Sequence, residues 1–355
     1  MSELTWPGLL TALLQGHDLE DDEATWAMDQ ILSNNASPVQ VAGFVVALRG
    51  KGETVGEVNN LAEVMLAKAT TVDLPHEAVD VVGTGGDRAN TVNISTMAAI
   101  VAAASGRPVI KHGNRAASSM CGTADCLETL GVVLDVDPAE QPEVFRRAGI
   151  AFLFAPLYHA SLRFAAPARK ELAIQTVFNF LGPLTNPARP AAQAIGVADR
   201  RMAGLIAGVL ARRGNRGMVF HGEDGLDELT TTSPSDVWLI SGGTVHQTVL
   251  DPALLGLEVA RPQDLVGGDP RHNADVVRAV FGGAKGPVAD IVVLNAAAAM
   301  LAFDSPRLDV PVEEQLTGLL AEARATIAEG RADSFLDRWI DVTRQVSQGQ
   351  VAGQA

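Results

Sequence analysis

The sequence predicts an α/β protein with a small all-helical N-terminal domain and a larger α/β domain, in which helices flank a mostly parallel central sheet. Two observations lead to this fold class. Apolar residues recur at helical spacing from Leu9 to about Ala69. After Pro75, short β-rich runs alternate with glycine-rich turns and helical stretches. This order indicates parallel strands joined by crossover helices.

The N-terminal segment contains four groups of apolar residues at helical spacing, and we assign residues 1–72 to a helical domain. Ser37-Pro38 is typical of a helix start, and Gly50 to Glu53 is typical of a connection. The apolar surface of this domain fits either an internal core or an oligomer interface. A segment around 165–195 is expected to pack with it.

Residues 73–345 form the predicted α/β domain, and residues 346–355 form a tail of low apolar content that is expected to fray. The predicted strands are Ala78 to Val82, Pro108 to Lys111, Arg216 to His221 and Val237 to Ile240. The predicted helices are Thr96 to Ala104, Ala124 to Leu130, Met202 to Arg212 and Asn273 to Val280. Ligands of parallel sheets bind beyond the carboxyl ends of the strands, so the strand-to-helix loops are the places to search.

Composition narrows the function classes. The chain has 355 residues, 47% of them hydrophobic, and 42 acidic against 27 basic side chains give a formal net charge of −15. This charge argues against binding to nucleic acid or to anionic membranes. Two cysteines cannot staple a chain of this size, and the first residues lack the pattern of a signal peptide. We therefore expect a cytoplasmic protein with no nucleic-acid or membrane partner.

The first chemically informative segment is the glycine loop, Gly83 to Asp87 (GTGGD), which follows a predicted strand. Glycines let backbone N–H groups approach an anion closely, and the helix that follows adds donors at its N-terminus. Phosphate binding is the natural hypothesis, although a tight turn alone has the same pattern. The segment is neither a P-loop nor a Rossmann fingerprint, because the Lys-Ser/Thr pair and the third glycine are missing.

The basic loop, Lys111 to Ser119 (KHGNRAASS), also follows a predicted strand. Its three potentially cationic side chains and two serines predict an anion-binding surface on an otherwise acidic protein. A lone basic run is more often a solvated face. Two such loops at strand ends together indicate a ligand with more than one phosphate.

The acidic turn, Gly225 to Leu229 (GLDEL), contains adjacent carboxylates. Carboxylates at neighbouring positions diverge on a helix but can converge from a loop, where their oxygens suit Mg²⁺. Mg²⁺ binds through one or two carboxylates together with substrate phosphates, so this pair gains weight from the two loops.

A fourth stretch contains His159 and Arg169 and continues to Pro187. Arg169 is a candidate for holding a substrate carboxylate, because a planar guanidinium binds carboxylates bidentately. A surface arginine has the same spacing, and a lone histidine is more often structural. No catalytic triad, Cys-His pair or zinc spacing is present in the sequence.

These motifs closely resemble those of the anthranilate phosphoribosyltransferases, in family order and over nearly the whole chain. The matching motifs are GTGGD at 83–87, NTVNIST at 90–96, KHGNRAASS at 111–119, GTAD at 122–125, NFLGPLTNP at 179–187 and GLDE at 225–228.

The resemblance implies Mg²⁺-dependent transfer of the phosphoribosyl group from 5-phosphoribosyl 1-diphosphate to the amine of anthranilate. The products are N-(5-phosphoribosyl)anthranilate and diphosphate, and the reaction is the second step of tryptophan biosynthesis from chorismate. The resemblance also implies two Mg²⁺ ions with the donor bound and a homodimer formed through the helical domains.

Matched residue by residue, the family's contacts fall on three sets. The donor-binding residues are Gly83, Gly86, Asp87, Thr91, Asn93, Ile94, Ser95, Thr96, Lys111, His112, Gly113, Asn114, Arg115, Ala116, Ala117, Ser118, Ser119 and Thr123. The anthranilate contacts are Gly83, Asn114, His159 and Arg169. The Mg²⁺ ligands are Ser95, Asp227 and Glu228. No general base is assigned, and His112 is a candidate contact to the aromatic substrate or a proton relay.

The chain departs from the family pattern at positions near the anthranilate entrance or the donor loops: Ala160, Ala173, Gln175 and Thr123. These departures leave the acceptor range open. Two alternatives also stay open. A pyrimidine nucleoside phosphorylase shares the fold and a similar Lys-His-Gly loop, and a catalytically silent paralogue would bind the donor without turnover.

Overall fold

A computed structural model of the chain describes residues 4–116 and 119–353. The strands are β1 Val79–Gly83, β2 Val109–Gly113, β3 Ile150–Phe154, β4 Ala192–Gly196, β5 Arg216–Gly222, β6 Ser235–Ser241 and β7 Thr244–Leu250. The helices are α1 Trp6–Leu14, α2 Asp21–Leu32, α3 Pro38–Lys51, α4 Val55–Ala67, α5 Ile94–Ala104, α6 Thr123–Leu130, α7 Gln141–Ala148, α8 Ala155–Tyr158, α9 Ala166–Leu172, α10 Arg200–Arg212, α11 Pro270–Phe281, α12 Pro287–Asp304, α13 Val312–Ala328 and α14 Arg331–Gly353.

Side-chain caps fix the starts of the N-terminal helices. The hydroxyl of Ser37 accepts a hydrogen bond from the backbone N–H of Gln40, and Pro38 occupies the first helical position, so the predicted helix start is confirmed. Thr54 and Glu57 form a reciprocal capping box at the start of α4. The helices α1 to α4 bury one apolar cluster against each other.

The same apolar cluster continues beyond the N-terminal domain. Ala168 on α9 and the stretch from Val177 to Leu184 contribute buried side chains to it. So does the apolar face of α10, which also packs on one face of the sheet. The segment that carries Arg169 is therefore held between the helical domain and the sheet.

The sheet has the strand order β3-β2-β1-β4-β5-β6-β7. The first five strands in this order pair in parallel, and β6 and β7 add antiparallel at one edge. The predicted mostly parallel sheet is confirmed. The strands β3, β4 and β7 were not predicted. Short apolar runs such as IAFLF in β3 resemble helix segments, and the alanine-rich AQAIG of β4 lacks β-branched residues except Ile195.

The other face of the sheet is covered by α5, α12 and α13, which share a second apolar cluster with it. The helix α12 is apolar and long enough to cross a membrane by length and composition. It is also 67% buried, since it lies between α5, α13 and the sheet. Its apolar character is accounted for by the core of the α/β domain.

The final helix extends into the tail defined from the sequence. The helix α14 runs to Gly353 and so includes part of the tail predicted to fray from residue 346. Leu336, Trp339, Thr343 and Val346 are buried at helical spacing along it. Val346 extends the buried face of the helix by a turn, and fraying of the tail, residues 346–355, stays a prediction.

Helix α9 ends at a strained position. Ala173 has φ 50° and ψ 28°, a left-handed conformation in which a Cβ costs about 1 to 2 kcal/mol. Ala173→Gly should therefore raise the free energy of unfolding by about 0.5 to 1 kcal/mol, after the larger backbone entropy of glycine is counted. Urea unfolding measures the change. The control is Ala168→Gly, in the helical part of α9, which should lower stability; equal loss in both variants would contradict the argument.

Candidate functional site

The site lies at one edge of the sheet, where the carboxyl ends of four adjacent strands meet. The glycine loop follows β1, the basic loop includes the end of β2, and the acidic turn follows β5. Between β1 and β5 lies β4, which ends at Gly196. The glycine loop and the basic loop are strand-to-helix connections, where ligands of parallel sheets are expected, whereas the acidic turn connects β5 to β6.

The acidic turn contacts two segments that follow β1: the glycine loop and the start of α5. Asp227 Oδ2 accepts a 2.7 Å hydrogen bond from the backbone N–H of Gly85. Glu228 Oε1 accepts a 3.1 Å hydrogen bond from the backbone N–H of Ser95, at the start of α5. Adjacent carboxylates that diverge on a helix thus converge from this turn on one region, as the sequence predicted.

This approach requires glycine in two neighbouring strands. Gly83 and Gly196 are register partners at the ends of β1 and β4. A Cβ on Gly83 would lie 2.2 Å from Asp227 Oδ2, and one on Gly196 would lie 1.6 Å from the Asp227 carbonyl oxygen. Either side chain would push the acidic turn away. Gly196 was missed by sequence reasoning, because an isolated glycine carries no signal of its own.

The charges around the acidic turn favour a cation. Desolvation and the neighbouring Asp87 raise the pKa of Asp227 to about 7. Burial and the neighbouring Asp227 raise the pKa of Glu228 well above its ordinary value. Both shifts mean that negative charge at this point is incompletely compensated by the protein.

The residues present fit Mg²⁺. Asp227, Glu228 and the hydroxyl of Ser95 offer hard oxygen ligands, and the two carboxylates lack a full counter-charge. Among the described residues no three His, Cys, Asp or Glu side chains cluster as metal ligands. This set suits an ion whose remaining ligands are water and substrate phosphates, which is the usual mode of Mg²⁺.

The cationic side chains of the basic loop bond to other groups of the protein. Lys111 is buried, and its Nζ donates to the carbonyl oxygen of Val81 and to Ser95 Oγ. Arg115 pairs with Asp125 at 2.9 Å and with Glu128 at 2.8 Å. Lys111 thus bonds to a backbone carbonyl and a hydroxyl, and Arg115 to two carboxylates, while His112, described next, is neutral. Anion binding by this loop stays a prediction.

His112 and His159 are both buried and lie edge to face, with ring centroids 5.2 Å apart. Burial lowers the pKa of His112 to about 3 and lowers that of His159 as well, so both rings are neutral near pH 7. His112 Nδ1 lies 3.2 Å from the Gly182 carbonyl oxygen and His159 Nε2 lies 2.8 Å from that of Thr185. These ring nitrogens are therefore the protonated ones, and His112 Nε2 is a buried acceptor that has no partner among the described residues.

Asp125 closes the basic loop. Its Oδ2 accepts hydrogen bonds from the backbone N–H groups of Ala116 at 3.0 Å and Gly122 at 2.9 Å. Gly122, held in this way, directly precedes the first residue of α6, Thr123. The hydroxyl of Thr123 lies 3.4 Å from that of Thr96. The GTAD motif thus joins the basic loop to the start of α5. The sequence contained this motif but gave no role for its carboxylate.

Other predicted donor contacts also lie around this edge. Thr91 forms an isolated bridge with Val266, and the Asn93 side chain donates to the Cys121 carbonyl oxygen at 3.3 Å. Asn114 and Ser119 are exposed, whereas the Ile94 side chain is core. Ala117 and Ser118 lie outside the described residues.

Arg169 lies half-buried on α9 with its guanidinium over the ring of Phe178, 5.6 Å from the centroid. Desolvation lowers the pKa of Arg169, and in the described parts of the chain it has no acidic partner. Six residues later, Gln175 reaches the glycine loop: a Cβ on Gly86 would lie 2.7 Å from Gln175 Nε2. The segment that carries Arg169 therefore lies beside the glycine loop, and the Arg169 guanidinium is a cation without an acidic partner among the described residues.

Asp80 and Asn186, which the sequence analysis did not single out, support the basic loop through hydrogen bonds. Asp80 accepts hydrogen bonds from the His112 N–H at 3.1 Å and from Asn186 Nδ2 at 2.9 Å. Burial raises the pKa of Asp80 to about 6. A charged residue in the otherwise apolar strand VDVVG was a signal that could have been followed.

Two family models match the chain. The helical bundle domain of a glycosyl transferase family matches residues 7–69, and the α/β domain of that family matches residues 75–333. The anthranilate phosphoribosyltransferase of Thermobifida fusca is 54% identical over 341 residues, which cover 96% of this chain and 97% of that protein.

Solved structures agree with this match. The anthranilate phosphoribosyltransferase of Thermus thermophilus superposes with a TM-score of 0.87 at 40% identity, covering 95% of this chain and 99% of that one. The Saccharomyces cerevisiae enzyme in complex with PRPP and Mg gives a TM-score of 0.86 at 28% identity, covering 97% and 99%. Fold, motif order and full-length identity lead to one conclusion: the chain belongs to the anthranilate phosphoribosyltransferase family, a group of glycosyltransferases.

Proposed function

We propose that this chain transfers the phosphoribosyl group of 5-phosphoribosyl 1-diphosphate to the amine of anthranilate in a Mg²⁺-dependent reaction. The reaction would be the second step of tryptophan biosynthesis from chorismate. The observation that carries this proposal is the convergence of Asp227 and Glu228 on the glycine loop and the start of α5. It supports the proposal because these carboxylate oxygens lie near the carboxyl ends of the strands, where a phosphorylated ligand is expected.

Mg²⁺, when bound, would supply charge neutralisation to the departing diphosphate. Ser95, Asp227 and Glu228 are the residues that would hold it. The expectation of two ions with the donor bound comes from the family resemblance. The chain itself would contribute backbone N–H groups of the glycine loop and of the N-terminus of α5 to orient and stabilise the same phosphates. The N–H groups of Gly85 and Ser95 are not among these, because they donate to Asp227 and Glu228.

The residues of the site favour positioning over proton transfer. As the C1–O bond to diphosphate breaks, C1 of the ribose gains positive charge and the amine of anthranilate attacks it. That amine is neutral near pH 7, so it needs correct placement and no strong base. The neutral His112, with a free acceptor at Nε2, is a further residue able to receive a proton or contact the aromatic ring.

The test of the reaction is the loss of anthranilate fluorescence when 5-phosphoribosyl 1-diphosphate is added, with and without Mg²⁺. We expect loss only with Mg²⁺, and no loss for Asp227→Asn with Glu228→Gln. The matched control is Glu313→Gln with Glu314→Gln on α13, which removes the same charge away from the site and should keep activity.

Other outcomes point elsewhere. Donor binding without fluorescence loss would favour a silent paralogue, and cleavage of pyrimidine nucleosides by inorganic phosphate without Mg²⁺ would favour a phosphorylase. Unchanged Mg²⁺ dependence in the double variant would remove Asp227 and Glu228 from the metal site.

Arg169 is proposed to hold the carboxylate of anthranilate. Arg169→Ala should raise the KM for anthranilate by roughly tenfold or more, since a charge-assisted hydrogen bond contributes about 1.5 to 3 kcal/mol. The KM for the donor should change little. Steady-state kinetics with each substrate varied measures both values. The control is Arg163→Ala, an exposed arginine of the same segment; equal effects of Arg169→Ala on both substrates would contradict the assignment.

We also propose a homodimer formed through the helical domains. Leu14 and Val39 are 79% and 81% exposed, and Val46 follows Val39 by two helical turns on α3, which contacts α1. An exposed apolar patch of this kind marks an interaction surface. It lies on the domain whose other face packs on α10, so the patch is free to meet a second copy.

Light scattering after gel filtration tests the dimer. The wild-type chain should have twice the monomer mass of 37.1 kDa. The double variant Leu14→Glu with Val39→Glu should have the monomer mass, because a dimer would bury the new glutamate charges in the interface without counter-charges. Leu254→Glu, at another exposed apolar residue in the α/β domain, should leave the dimer intact. A monomeric wild-type chain would refute the proposal.

A further inference from the structure

A chain of side-chain amides crosses the donor side of the site. The backbone N–H of Gly268 donates to Asn273 Oδ1 at 2.8 Å. Asn273 Nδ2 donates to Asn93 Oδ1 at 2.8 Å, and Asn93 Nδ2 donates to the Cys121 carbonyl oxygen at 3.3 Å. Three segments, around Asn93, Cys121 and Gly268 to Asn273, are thereby linked through two side-chain amides.

The direction of this chain is fixed at both ends. A backbone N–H only donates and a carbonyl oxygen only accepts. Gly268 therefore requires the oxygen of the Asn273 amide, which leaves Asn273 Nδ2 facing Asn93. Asn93 must then present its oxygen to Asn273 and its nitrogen to Cys121. Neither amide can rotate by 180° without losing hydrogen bonds.

Burial makes the linkage energetically important. The Asn273 side chain is only 1% exposed, so an unpaired amide atom there would find no water to replace its partner. The backbone at Gly267 packs closely on this amide, since a Cβ on Gly267 would lie 2.8 Å from both Asn273 Oδ1 and the Thr91 carbonyl oxygen. Beside it, the backbone of Gly267 donates to the Asn90 carbonyl oxygen at 2.8 Å.

We propose that Asn273 is a positioning residue of the donor site, which sets the orientation of the Asn93 amide and holds the turn before α5 against Cys121. Asn273 is not assigned a contact with either substrate. The inference rests on the proposed function, because it takes Asn93 as a donor contact. It adds α11, which none of the sequence motifs includes, to the structure that determines donor affinity.

Asn273→Asp tests the inference with almost no change of shape. The aspartate can still accept from Gly268, but it faces Asn93 Oδ1 with a second acceptor. The dissociation constant of 5-phosphoribosyl 1-diphosphate with Mg²⁺, measured by calorimetry without anthranilate, should rise about tenfold, as expected for one unsatisfied buried group. The KM for the donor should rise in parallel, while the KM for anthranilate at saturating donor stays unchanged.

A double-variant cycle shows whether Asn273 acts through Asn93. Asn93→Ala should weaken donor binding, and adding Asn273→Asp to it should weaken binding no further. If the two effects multiply instead, the inference is overturned. If Asn273→Asp does not fold, Asn273→Ser replaces it, since a serine hydroxyl is too short to reach Asn93; unchanged donor affinity in that folded variant overturns the inference.

Asn215→Asp is the control for a merely structural effect. Asn215 Nδ2 donates to the Pro190 carbonyl oxygen at 3.0 Å, just before β5 and so at the opposite edge of the sheet from the site. Loss of this hydrogen bond should lower the midpoint temperature of thermal unfolding and leave donor affinity unchanged. A wild-type chain that binds donor, with Asn273→Asp binding equally well, refutes the inference alone. A wild-type chain that binds no donor refutes the proposed function as well.

Discussion

The site depends on the close approach of the acidic turn to the carboxyl ends of β1 and β4. Asp227 reaches the N–H of Gly85 only because Gly83 and Gly196 carry no side chains at the point of contact. Those two glycines are partners in the ladder between adjacent strands, so the gap they leave is continuous. Both the glycine loop and the start of α5 therefore have carboxylates beside them before any ligand is present.

That arrangement explains how an acidic chain can receive a polyanion. Lys111 is buried in this region, and burial lowers the pKa of its ammonium group, although the nearby Asp80, Glu228 and Asp227 favour the charged form. Arg115 is committed to Asp125 and Glu128. Among the described residues, then, the cations of the basic loop balance protein carboxylates. Under the proposed function, the phosphates would be met mainly by backbone N–H groups and by a metal ion. The raised pKa of Asp227, caused by desolvation and the neighbouring Asp87, is consistent with a site that lacks positive charge.

Much of this could be predicted from the sequence, and the exceptions have physical reasons. The glycine loop and acidic turn were found because glycine and paired carboxylates at strand ends have few other uses. The partners of the basic loop could not be predicted, since sequence gives no information on which acidic residues lie within reach of Lys111 and Arg115. Gly196 depends on a strand pairing that no local pattern encodes.

Two buried asparagines, Asn295 and Asn273, show why residues that support the site from a distance are not recognised in the sequence. Asn295 interrupts the apolar run of α12, and its Nδ2 donates to the Leu229 carbonyl oxygen at 2.8 Å while its Oδ1 accepts from the Leu229 N–H at 3.0 Å. It thus pairs both backbone groups of the residue that follows Glu228. Asn273 does the corresponding work for Asn93. In both cases a helix on the far side of a loop satisfies polar groups that would otherwise be buried unpaired, and the same bonds fix the position of a segment proposed to bind ligand. Fold stability and site geometry are therefore inseparable at these two positions.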